Sequence, residues 1–189
     1  MFFYGATFGG FSGLASSLTI YFNVQYGLSP VTAGYFTAAC VFADSLVRPI
    51  GGALADRVGG IRALSLMYIV AAAALGVVSI GLGQAWMALI VFVVGMLALG
   101  MGNGAVFQLV PQRFKREIGV MTGLVGMMGG IGGFYLASSL GYSKQLTGTY
   151  QAGFLVFAGL AIVALIGLTV VKSRWRTTWG AVGAGVARI

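Results

Sequence analysis

The sequence predicts an all-α, polytopic membrane protein with six transmembrane helices, and three observations lead there. The chain is 59% hydrophobic and only 7% charged over 189 residues, with a mean hydropathy of +0.97. A soluble domain carries about 25% charged residues, so this composition lacks the polar side chains to cover a water-facing surface. The apolar residues fall into runs of about 20, each long enough for one crossing. The basic residues gather in every second connection, the pattern that sets membrane topology. The net charge of +8, without any histidine, is therefore read as topology rather than as a nucleic-acid surface. Cys40 is the one cysteine, which excludes an intrachain disulfide and a thiolate metal cluster. Residues 1–10 have no basic stretch of the kind that begins a cleavable signal peptide.

Taken in order, the spans lie at about 2–24, 31–54, 62–83, 85–110, 119–142 and 150–171. The first is uncharged, with Tyr4, Phe8 and a cluster of Gly5, Gly9, Gly10 and Gly13. Gly27 to Pro30 breaks it from the second, which contains Asp44, Arg48 and Pro49. The charged turn from Asp56 to Gly60 leads into the third, and Gly83-Gln84 separates that from the fourth. The fourth carries Gly100, Gly102 and Gly104 with Asn103 and Gln108, polar groups that need partners in hydrocarbon. Pro111 to Glu117 precedes the fifth, and Ser143 to Thr149 precedes the sixth. The fifth spaces Gly119, Gly123, Gly126, Gly130 and Gly133 as one stripe at helical period, with Gly129 and Gly132 beside it. Such a stripe lets helix backbones approach closely in lipid, or leaves backbone edges accessible to a small anion.

Residues 1–172 read as one six-span unit, and 173–189 as a basic tail whose Trp175 and Trp179 suit an interfacial anchor. Arg57, Arg62, Arg113, Lys115, Arg116, Lys172, Arg174, Arg176 and Arg188 follow even-numbered spans, against Lys144 alone on the other side. The positive-inside rule then predicts a plasma (inner) membrane protein with both termini cytoplasmic. A span that starts almost at residue 1 reads as a unit cut from something longer, or one that needs a partner.

Arg48 is the residue that calls most for a function. A cation in the middle of a span costs about 2.5–3.5 kcal/mol on insertion scales, so such residues are functional candidates. Its guanidinium offers a planar fork of donors that fits a planar oxyanion and keeps its proton. The alternative is a closed pair with Asp44, one turn earlier in the favourable acid-before-base order. Pro49 removes a backbone donor directly after it and frees a carbonyl one turn back, so a kink there would re-aim Arg48.

The turn Gly52-Ala-Leu-Ala-Asp56-Arg57-Val-Gly59 resembles the signature loop of the major facilitator superfamily. Asp56 is expected to cap the next helix, with Arg57 and Arg62 holding the turn at the cytoplasmic face. Gly60 stands where the loop usually has a basic residue, which is moved to Arg62. The run Gly102-Asn-Gly-Ala-Val-Phe-Gln-Leu-Val-Pro111, the glycines from Gly119 to Gly133 and Tyr4-Gly-Ala-Thr-Phe8 are similar to the nitrate/nitrite porter family of that superfamily, over nearly the whole chain. The resemblance implies one half of a major facilitator fold, a 3+3 inverted repeat forming the C-terminal half of a twelve-span porter. It places Arg48 as the substrate-binding arginine and Tyr4 and Phe8 as pocket aromatics. Gly126, Gly130 and Asn103 join them as candidate substrate contacts, while Gly52, Asp56, Arg57, Gly59 and Arg62 form the gating loop.

The implied function is transport of nitrate or nitrite by alternating access, with no cofactor and no nucleic acid. The implied partners are the bilayer, the anion, and an N-terminal six-span half or a second copy. Asp44, the one carboxylate inside a span, is expected to be mainly structural. Competing readings are a superfamily transporter of another small substrate, an inactive truncated fragment, and a six-span unit that dimerises. An enzyme is disfavoured, since there is no nucleophile–base pair and the mid-span Ser and Thr hydroxyls bond to their own helices.

Overall fold

The computed structural model describes residues 2–113 and 117–179, with backbone alone for Gln108, Leu109, 111–113 and 172–179. The expectations for Gln108, the Arg113–Lys115–Arg116 cluster, and the Trp and basic side chains of the tail lie outside the described residues. The described residues form six helices: α1 Phe2–Tyr26, α2 Pro30–Val58, α3 Gly60–Ser79, α4 Ala85–Arg113, α5 Ile118–Thr147 and α6 Gln151–Trp179.

Among the described residues, α2 to α6 are long and apolar enough to cross a membrane by length and composition. α1 is not among them, although its 25 residues are uncharged. Its glycines, serines and threonines dilute its hydropathy, and its position explains why this is tolerated. α1 packs against α2, α4, α5 and α6, so its small residues Gly5, Gly9, Gly10 and Gly13 face protein rather than lipid.

The helix ends lie where turn chemistry puts them, beyond several of the expected span boundaries. Pro30 takes the first turn of α2, and the Ser29 hydroxyl accepts a hydrogen bond from the Thr32 N–H at 3.2 Å. α2 runs on to Val58, and a single residue, Gly59, joins it to α3 with φ at +94°. The Gly59 N–H donates to the Ala55 carbonyl at 3.0 Å. A side chain at that φ would be strained. Gly59 also occupies the N-cap position of α3, and Asp56 lies within the last turn of α2. α3 stops at Ser79, earlier than the expected 83. α5 continues through Ser143 to Thr147 and ends at left-handed Gly148 (φ +73°), a common helix terminator. Lys144 caps that end by donating to the Gly148 carbonyl at 2.7 Å.

The helix contacts follow a repeat. α2 against α4 and α1 against α5 are the most extensive pairs. Exchanging α1 with α4, α2 with α5 and α3 with α6 maps the set of close backbone approaches between helices onto itself, and among the described residues the backbones of α2 and α5 do not approach each other. The two triplets run in opposite senses: Tyr4, early in α1, meets Phe107, late in α4, with ring centroids 4.7 Å apart. This is the arrangement expected of a 3+3 inverted repeat.

Both major pairs rest on glycine. A Cβ at Gly100 would strike the Asp44 carbonyl, one at Gly104 the Arg48 carbonyl, and one at Gly51 the Met101 backbone. In the equivalent pair, Gly9 lies against Gly132, and a Cβ on Gly132 would strike the Gly5 carbonyl. In lipid, where apolar side chains gain little by leaving the solvent, such backbone approach drives helix association. The end of the bundle away from Arg57 is closed by aromatics: Tyr21 lies 5.1 Å from Phe154 and 5.5 Å from Phe92. The Tyr26 hydroxyl donates to the Leu82 carbonyl at 2.9 Å.

Gly104→Ala is expected to lower stability in detergent by about 1–3 kcal/mol, because backbone cannot rotate out of the way of the added methyl. Gly76→Ala, where a Cβ meets nothing within 4 Å, should instead raise it by about 0.5–1 kcal/mol. Thermal unfolding of the two purified variants checks both signs.

Candidate functional site

The glycine contact between α2 and α4 holds the backbone of Asp44 and Arg48 against α4. Their side chains form a closed pair. Arg48 Nη2 and Nε both donate to Asp44 Oδ2, at 2.6 Å and 2.9 Å. Of the two sequence readings, the closed pair is the geometry present. It is one-sided: Asp44 is fully buried while the Arg48 side chain is 33% exposed. Asp44 Oδ1 is buried without a hydrogen-bond partner. On the arginine, the Nη1 edge takes no part in the pair. α2 continues as helix through Pro49, so the proline does not end it.

α1 supplies the wall beside the guanidinium. Arg48 Cζ lies 4.8 Å from the Phe11 ring centre and 5.6 Å from that of Phe8, within cation–π range. Tyr4 stacks on Phe8 at 5.1 Å, nearly parallel, and takes the edge-on contact from Phe107. Tyr4 is buried and Phe8 half-buried. The structure thus brings Arg48, Phe8 and Tyr4 into one constellation. Phe11 and Phe107 belong to it too and were not singled out from sequence. The signal for Phe11 was its place one turn after Phe8 on the face that begins at Tyr4.

Asn103 is buried, and neither its Oδ1 nor its Nδ2 has a hydrogen-bond partner. Leu99, Asn103 and Phe107 share one face of α4, and the outer two approach Gly10 and Tyr4 of α1. Asn103 therefore lies at the depth of Arg48, in the interior rather than on the exposed side.

The glycine stripe of α5 divides. Gly129, Gly132 and Gly133 pack on α1, with Gly129 against the Tyr4 and Phe8 rings and Gly133 against Ser12. At Gly119, Gly123, Gly126 and Gly130 a Cβ would meet nothing within 4 Å. Gly126 and Gly130 are thus exposed, on a face of α5 turned away from its contact with α1. In the signature turn, a Cβ on Gly52 would lie 3.8 Å from the Gly104 carbonyl. Arg57 and Arg62 are exposed at the adjoining end.

The arrangement presents a half-exposed cation, fixed in plane by aromatic rings and neutralised from behind, in a bundle whose α2 and α5 faces are open. Comparison with known proteins gives the family. Residues 1–137 match the model of the Major Facilitator Superfamily. The chain is 36% identical over 146 residues to a probable nitrate transporter of Staphylococcus carnosus, covering 75% of this chain and 36% of that protein. It is 33% identical over 168 residues to a nitrite extrusion protein of Bacillus subtilis, covering 87% and 41%. A probable nitrate/nitrite antiporter of Thermus thermophilus is 31% identical over 191 residues, covering 90% and 43%. The chain therefore spans about two-fifths of the length of these curated relatives.

Asn103→Leu replaces an unsatisfied buried amide with an apolar side chain of similar shape. It is expected to leave the unfolding midpoint unchanged or to raise stability by about 1–3 kcal/mol, read by thermal unfolding in detergent. A clear loss of stability would mean that the amide has a polar partner in the folded protein.

Proposed function

We propose that this chain, which belongs to the major facilitator superfamily, is the C-terminal six-helix half of a porter for nitrate or nitrite. Members of the superfamily are transporters, not enzymes. The observation that carries the substrate class is Arg48: a one-third exposed guanidinium on an apolar helix, with donors left over from its ion pair. A small planar monoanion matches that donor edge in charge and shape. The positive charge of Arg48 disfavours cations, and the Phe8 and Phe11 rings limit the space beside it. The names of the relatives support the same substrates.

The open faces of α2 and α5 support the partner. Tyr35, Phe42, Leu46 and Ile50 on α2 are exposed, and Gly119, Gly123, Gly126 and Gly130 on α5 have no neighbour. In a twelve-span porter those faces meet the N-terminal half around the central site, and that half supplies the other side of the anion pocket. Alternating access then follows from rocking the two halves about it. Gly126 and Gly130 leave α5 backbone accessible to the anion, and Asn103 supports the wall from within. The turn bearing Gly52, Asp56, Arg57, Gly59 and Arg62 lies at the cytoplasmic face, with both termini on that side of the plasma membrane, a placement that the distribution of basic residues supports.

Expressed with a matching N-terminal half in cells that lack nitrate transporters, the chain is expected to restore nitrate uptake, and Arg48→Lys to reduce it at least about tenfold, since an ammonium cannot reproduce the planar fork. Uptake by the chain alone would replace the N-terminal half with a second copy. Absence of uptake by the properly inserted pair would overturn the nitrate reading.

A further inference from the structure

We infer that Asp44 is a counter-charge that sets how tightly Arg48 holds its anion, keeping the site weak enough to let the anion go. The inference rests on the porter reading and deepens it. It starts from the form of the ion pair. Both donating nitrogens of Arg48 converge on one carboxylate oxygen, Oδ2. The other, Oδ1, is buried with no partner. A pair built for stability would use both oxygens against the guanidinium fork. An unsatisfied buried carboxylate oxygen is a cost that calls for another explanation.

Placement supplies one. Asp44 is fully buried and Arg48 is 33% exposed, so an anion arrives from the side away from the carboxylate and meets only the arginine. The Phe8 and Phe11 rings already hold the guanidinium at 5.6 Å and 4.8 Å. Orientation of Arg48 therefore does not depend on Asp44 alone, and what the carboxylate adds is its negative charge. The sequence has three acidic residues, Asp44, Asp56 and Glu117. The latter two sit at helix ends, Asp56 in the last turn of α2 and Glu117 at the N-cap of α5. Asp44 is the carboxylate available at the depth of the arginine.

The consequence is electrostatic. An anion on the Nη1 edge feels the attraction of Arg48 and, a few ångströms further, the repulsion of Asp44. At the effective dielectric of such sites that repulsion weakens binding on the order of 10- to 100-fold. A transporter gains from this. Tight binding that is not released lowers turnover, and affinity changes within one site act chiefly on the dissociation rate. Asp44 acts through Arg48, by its charge. It does not touch the anion.

Asp44→Asn tests this, because the amide carbonyl can still accept from Arg48 while the charge is gone. In the chain paired with its N-terminal half, KM for nitrate uptake is expected to fall at least about tenfold, with the maximal rate falling as well. Asp44→Ser, smaller and also uncharged, should shift both in the same direction. Direct titration of the purified wild type and Asn variant with nitrate, nitrite, chlorate and chloride separates the two proposals. Tighter binding of another anion without nitrate binding supports the role of Asp44 and overturns only the substrate reading. An unchanged or raised KM, or binding equally weak in wild type and variant, overturns the role of Asp44. Failure of both variants to insert overturns it too, in favour of a packing role. No anion binding by either protein overturns both readings.

Discussion

The backbone contact between α2 and α4 is the constraint on which the site depends. With glycine at 51, 100 and 104, the two helices approach until the carbonyls of Asp44 and Arg48 lie where Cβ atoms would be. That contact fixes the rotation of α2 about its own axis. One face of α2 is pressed on α4, the side chains of Asp44 and Arg48 turn toward α1, and Tyr35, Phe42, Leu46 and Ile50 remain on the outer surface. The same device, mirrored through Gly9 and Gly132, places α5 beside α1. Two glycine contacts related by the repeat thus form the two most extensive helix pairs, and both leave a neighbouring face open.

An arginine held at this depth needs a neutralising neighbour and a dry, shaped surround, and the chain provides both from different elements. Asp44 comes from the same helix one turn away, a pairing that forms locally as soon as α2 does. The aromatic wall comes from α1 and α4, so it exists only in the packed bundle. A local pair lets the helix enter the membrane without an isolated charge. The later packing then leaves part of the guanidinium exposed on one side. Insertion and anion recognition therefore make different demands on Arg48, and its two sides meet them separately.

Much of the fold was legible because lipid imposes simple rules. Length, hydropathy and glycine or proline breaks placed the helices, and the breaks at Gly27 to Pro30 and Asp56 to Gly60 bracketed the two ends of α2. Errors concentrate at ends such as Ser143–Thr147, where helix continues past the apolar run and is stopped by the left-handed Gly148, a conformational event that hydropathy does not register. α1 was the weakest by composition yet lies centrally, since a helix packed by protein on many sides need not be apolar. At the site, Arg48 was legible as a charge out of place, and Tyr4 and Phe8 only through the resemblance to the nitrate/nitrite porters. Phe107 was not, because an aromatic in a membrane helix carries no mark of which neighbour it faces, and Phe11 was marked only by its helical spacing from Phe8.

The sequence by itself determined the class of protein, the number of helices, the alternation of basic connections and the single cation within a span. These follow from the free energy of moving each residue between water and lipid, which is a property of residues and their near neighbours. Only the tertiary structure decided that Arg48 is closed on one oxygen of Asp44, that Gly129, Gly132 and Gly133 pack while Gly126 and Gly130 stay open, and that Asn103 is buried without a partner. Those outcomes depend on which face of each helix meets which neighbour. A glycine stripe permits close approach along its whole length, and the rotation that settles where contact occurs comes from the combined fit of α1, α2, α4 and α5.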